Sequence, residues 1–142
     1  MSRMTRDQAL FQLAGGVQAD LAACTQLQGL LERQFDAALR HRSAELADMA
    51  GALTPALDAM EARRQQRVAL VRALLGPEAT MNELIATLAG SARDALAANW
   101  RDLEQMVIEC KRMTTRNSDL LAEQFSIMQR VLHGEEQVYA PR

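Results

Sequence analysis

The chain has 142 residues, 49% of them hydrophobic but only 4% aromatic, with 24% charged positions and a formal net charge of -2. That is the length of one domain, and a near-neutral balance in which Lys111 is the single lysine argues against a general nucleic-acid binder. The longest uninterrupted apolar runs are four residues, such as Val68–Val71 and Ala95–Ala98, where a bilayer span needs about 20.

Alanine supplies 25 residues and leucine 20, against 16 for valine, isoleucine and threonine together. Strong helix formers therefore dominate and sheet formers are scarce, which predicts an all-α chain. The first residues carry positive charge but lead into an amphipathic stretch, without the apolar core and cleavage site of a secretory signal. The expected location is cytoplasmic.

The first helix is expected from Thr5, whose hydroxyl can cap it while Gln8 reaches back from the third helical position, as in a capping box. Apolar residues then recur at Leu10, Leu13, Val17, Leu21, Cys24, Leu27 or Gln28, Leu31, Phe35 and Leu39, in steps of three and four. This is a coiled-coil-like stripe. The polar run Arg40-His41-Arg42-Ser43 interrupts it and predicts a tight turn, with Ser43 opening a second helix that runs to Leu75.

Gly51 and Pro55 lie inside that second helix. An interior proline removes a hydrogen bond and crowds the preceding turn, whereas Thr54-Pro55 also reads as an N-cap and first helical residue. One kinked helix, or a break near residues 51–54, are both compatible with the pattern. Gly76-Pro77 ends the helix, a short one follows over Glu78 to Ala89, and Gly90 closes it. Ser91 then caps a last helix, with Asp94 at its third position, running to Gly134.

That last helix spans about 43 residues, or roughly 65 Å, too long for a compact globule of this size. The predicted architecture is an elongated antiparallel helical bundle or coiled-coil hairpin with one short helix, in which part of the longest helix has no partner. Residues 1–134 form a single helical domain and 135–142 a flexible tail.

Its heptad positions are Leu96, Leu103, Cys110, Asn117, Gln124 and Val131, alternating with Trp100, Val107, Thr114, Leu121 and Met128. Polar residues in such a seam usually fix register, the default role for Asn117. At 100° per residue, Leu120, Leu121, Phe125, Ile127, Met128, Val131 and Leu132 cover about 160°, wider than one buried face needs. Either two sides of the bundle bury this end, or it is a docking surface for another amphipathic helix. Asn117 and these seven residues are the candidate partner-binding set. Eight methionines, more than all aromatics together, suit a surface that repacks around a partner, although core filling also uses them.

Catalytic chemistry has little to stand on. There are two isolated histidines, no Gly-rich phosphate loop, and no Gly-x-Ser-x-Gly or His-Glu-x-x-His pattern. Neither a cofactor nor a metal is expected. Cys24 and Cys110, 86 positions apart, read as buried free thiols. His41 is at most a weak candidate for phosphate relay, and a turn residue by default. The clusters Arg63, Arg64, Arg67, Arg72 and Lys111, Arg112, Arg116 are interleaved with Glu and Gln, lack stacking aromatics, and read as solvated helix faces.

The last third carries Ala98-Asn99-Trp100-Arg101-Asp102-Leu103, then Arg116-Asn117-Ser118-Asp119-Leu120-Leu121-Ala122-Glu123-Gln124, then Val131-Leu132-His133-Gly134 and the late Tyr139. In this ordered series it resembles the FlgN family of flagellar type III export chaperones. Leu57-Asp58-Ala59-Met60-Glu61-Ala62-Arg63-Arg64 and Leu31-Glu32 extend it over nearly the whole chain. Gly51 and Pro55 depart from the family's plain helix, and only Ala140, Pro141 and Arg142 follow the tyrosine where the family continues into a glycine-containing tail.

The resemblance implies a cytoplasmic chaperone for hook-filament junction proteins of the FlgK and FlgL type, bound through their C-terminal amphipathic segments. It also implies that Tyr139 contacts the cytoplasmic domain of an export-gate membrane protein of the FlhA type. A structural coiled-coil adaptor that homo-oligomerises through the same stripes is the alternative.

Overall fold

The computed structural model describes residues 4–139, with side chains through Glu135. Four helices follow one another: α1 (Arg6–Leu39), α2 (Ser43–Leu75), α3 (Met81–Ala86) and α4 (Gly90–Tyr139). Local chemistry explains most of their ends. The Thr5 hydroxyl accepts from the Gln8 N–H at 3.1 Å while the Gln8 side chain accepts from the Thr5 N–H at 2.9 Å, so the capping box forms as expected.

At the other end of α1, the Arg42 N–H donates to the Ala37 carbonyl and the His41 N–H to that of Ala38. His41 itself is left-handed, with φ 55°. This is a Schellman ending in which histidine takes the place usually given to glycine, and it commits His41 to reversing the chain.

α2 runs unbroken through Gly51 and Pro55, which decides for one continuous helix. Both residues are exposed, so water can serve the Gly51 carbonyl that Pro55 cannot satisfy. Gly76, at φ 114°, ends α2. α3 is shorter than expected, because Thr80 caps it through the Glu83 N–H at 3.2 Å and the Thr87 hydroxyl takes the Leu84 carbonyl at 2.6 Å. α4 begins at Gly90 and passes through Gly134 to Tyr139. An interior glycine costs a helix only about 1 kcal/mol relative to alanine, and Gly134 is not left-handed. The expected helix end at that residue is therefore moved five residues on.

α1 is the central element. α2 packs back along it and α4 packs on another side, while α2 and α4 make no direct backbone approach and are bridged at one end by α3. The core holds Leu13, Val17, Cys24, Leu27 and Leu31 of α1, Leu53 and Val71 of α2, Met81, Leu84 and Ile85 of α3, and Leu96, Leu103, Cys110 and Met113 of α4. The chain is an all-α, elongated bundle. Its α1-α2 hairpin is antiparallel as anticipated, but α4 lies parallel to α1. Cys24 meets Cys110, Leu31 meets Asn117 and Ala38 meets Gln124, each pair 86 residues apart. Only a parallel pair keeps a constant difference.

One buried ionic cluster ties α2 into this frame. Asp20 is 2% exposed and receives the Arg63 Nε–H and, at 2.8 Å, an Arg67 Nη1–H. The Arg67 guanidinium also lies 5.3 Å from the centre of the Trp100 ring, so one arginine touches all three long helices.

Candidate docking surface at the end of α4

The repeat that predicts the α1-α4 seam also shows where the seam loses its partner. Asn117, 1% exposed, donates one amide hydrogen to the Leu31 carbonyl and the other to Gln34 Oε1, both at 2.8 Å, and accepts from Arg116 Nε at 3.2 Å. One heptad later Gln124 donates to the Ala38 carbonyl at 2.8 Å, on the last turn of α1. The constant step puts Leu39, the final residue of α1, opposite Phe125.

Beyond that point α4 continues to Tyr139, about 21 Å further. From Phe125 through Glu135 every residue is exposed. Phe125, Ile127, Met128, Val131 and Leu132 are each between 45% and 58% exposed, while Leu120 and Leu121 are half-buried where α1 still covers them. The broad arc thus stays open on α4, rather than being buried from two sides. A groove of about 590 Å³ opens at its base, with Leu121, Gln124, Phe125, Ile127 and Met128 along α4 and His41, Ser43 and Leu46 opposite.

Asn117, expected among the partner-binding residues, does not belong to that surface. Its amide is fully used inside the seam, so it sets register as the default reading of a polar seam position holds. Tyr139 is the last residue of α4, and its side chain lies outside the described residues.

The arginine clusters divide. Arg64 pairs with Glu61 and Arg112 with Glu109 on exposed faces, as expected. Arg63 and Arg67 instead clamp Asp20, and Arg116 reaches Glu32 of α1 at 3.1 Å while stacking 3.8 Å from the centre of the Phe35 ring. The partners sit 43 to 84 positions away, beyond what a local pattern reveals.

The two cysteines are free and buried. The Cys110 thiol points at the Cys24 carbonyl at 3.9 Å, and burial together with the neighbouring Cys24 pushes its pKa up to about 11. Such a thiol is a poor nucleophile near neutrality. Among the described residues no cluster of three or more His, Cys, Asp or Glu could hold a metal ion, and no helix is long and apolar enough to cross a membrane.

A second groove, of about 580 Å³, lies between α2 and α4 beside α3, where Val68, Val71, Met81, Trp100, Leu103 and Val107 form much of its wall. Sequence periodicity did not single it out, because it arises where two helices that both pack on α1 stand apart from each other.

No curated protein and no solved structure matches the chain. The FlgN protein family model matches residues 1–134, nearly the full length and including Trp100, the Asn117-to-Gln124 stretch and the exposed arc. The chain belongs to the FlgN family of flagellar export chaperones.

Proposed function

We propose that the open end of α4 receives the C-terminal amphipathic segments of hook-filament junction proteins, of the FlgK and FlgL type, and holds them in the cytoplasm before export. The observation that carries this reading is the seam of α4 passing the end of α1 with Phe125, Ile127, Met128, Val131 and Leu132 exposed. Leu120 and Leu121 form the inner edge of the same surface. A client helix laid on this arc covers apolar area that would otherwise promote aggregation.

Docking orders a flexible segment, at a cost of about 2–5 kcal/mol or more. The apolar burial must exceed that cost, and only the surplus appears as affinity, so the complex is held modestly and can be released. Delivery follows through Tyr139, proposed to contact the cytoplasmic domain of an FlhA-type export-gate protein.

The test replaces Leu121, Phe125 and Met128 with serine together and measures binding of a junction protein's C-terminal segment, alongside helicity and melting. Loss of binding with near-native melting supports the docking surface. A variant that unfolds shows that these residues belong to the core and removes the assignment.

A further inference from the structure

The turn between α1 and α2 uses a residue that its backbone does not favour. Among the described residues three have positive φ: Gly76 at 114°, Gly90 at 72° and His41 at 55°. Glycine enters this region without steric cost, whereas a β-carbon there crowds the backbone. A glycine at position 41 would complete the same Schellman ending, because the bonds from His41 and Arg42 to the Ala38 and Ala37 carbonyls use backbone groups alone.

No contact of the imidazole offsets that cost. Arg40 is turned to Asp36 at 3.1 Å and Arg42 to Glu45 at 3.5 Å, so the flanking side chains are committed to their own carboxylates. The exposed His41 side chain has no hydrogen bond or ion pair among the described residues. It lines the groove of about 590 Å³ instead, beside Ser43 and the half-buried Leu46 and across from Leu121, Phe125 and Met128 of α4. A side chain held on a disfavoured backbone, without a partner in its own chain and set on the wall of a groove, has its use outside the chain.

We propose, resting on the docking reading above, that His41 is a contact residue for the client segment, its imidazole closing the groove from the side of the α1-α2 turn. The client site then has two walls, the open arc of α4 and the turn. A client side chain seated at the base of the arc is held from both. The ring suits that place because it has an apolar body and a polar edge, so it packs on the apolar stripe of an amphipathic segment and meets the polar groups beside it. Position 41 keeps a histidine for binding at some loss of stability in the turn.

His41→Gly and His41→Ala in the full chain test the inference, with a junction protein's C-terminal segment as the probe, calorimetry for affinity and thermal melting for stability. Both substitutions remove the imidazole, but glycine relieves the left-handed backbone while alanine keeps a β-carbon on it. The expected result is that both variants bind the segment about three- to tenfold more weakly than wild type, although His41→Gly melts at or above the wild-type temperature. A structural role alone would move affinity and stability in the same direction. Wild-type affinity in His41→Gly, with binding still lost on replacing Leu121, Phe125 and Met128, overturns the inference while the docking surface stands. Weaker binding confined to His41→Ala does the same, because backbone geometry and not the ring would then set the affinity. Melting of His41→Gly below wild type shows that the ring holds the turn, and removes the premise. Binding indifferent to the Leu121, Phe125 and Met128 replacements overturns the docking surface and the inference together.

Discussion

Asn117 of α4 donates its side-chain amide to the Leu31 carbonyl of α1 at 2.8 Å, 86 residues away in sequence, and Gln124 repeats the step with Ala38. These two bonds hold α4 parallel to α1 in a single register. A one-turn slip would leave Asn117 buried against apolar side chains with its amide unsatisfied, at about 1–3 kcal/mol.

Asn117→Ala should therefore lower stability by about 2 kcal/mol, from the lost hydrogen bonds and the space left in the seam. Client affinity, measured well below the melting temperature, should stay near wild type. A selective loss of client binding without loss of stability would return Asn117 to the docking surface.

Asp20 carries the ionic tie between α1 and α2. Asp20→Ala leaves Arg63 and Arg67 without their buried carboxylate and should cost about 3 kcal/mol, the low end of the range for a broken buried pair, since the Arg63 side chain keeps 27% of its exposure. Chemical denaturation checks this, and a change below about 0.5 kcal/mol would show that water replaces the carboxylate.

Cys110 predicts an alkaline limit. Its thiol is raised from an ordinary value of 9.0 to about 11, so over that interval the folded chain holds a proton that the unfolded chain has released. The stabilisation is complete below pH 9 and is lost as pH rises from about 9 to 11. Melting temperature should fall across that window less steeply in Cys110→Val than in wild type. At pH 8, native Cys110 should react with a thiol reagent only at the rate of opening.

Tyr139→Ala should leave client binding intact and weaken binding of the loaded chaperone to the export-gate domain. Pulldowns with each partner separate the two effects. Loss of client binding in this variant would show that the end of α4 is part of the client site.

Features governed by neighbouring residues were legible in advance. The Thr5-Gln8 capping box, the turn at His41 and the stop at Gly76 depend on chemistry within a few positions. Gly134 misled because a glycine ends a helix only when the backbone turns left-handed there, and here it stays within α4. Arg63, Arg67 and Arg116 misled for a different reason: their charges are balanced by Asp20 and Glu32 across helix interfaces, which no local pattern of Glu, Gln and Arg exposes. The heptad placed Asn117 in the seam but could not say that Leu31 and Gln34 would use up its amide.

By itself the sequence determined that the chain is helical, where most helices start and stop, and that the apolar arc of the last helix widens between Leu120 and Leu132. Those are consequences of propensity, capping and period, each encoded over a few turns. Only the tertiary structure decided whether that arc is covered. The answer depends on the parallel register of α4 against α1 and on α1 ending opposite Phe125, and both follow from side-chain packing between segments 86 residues apart.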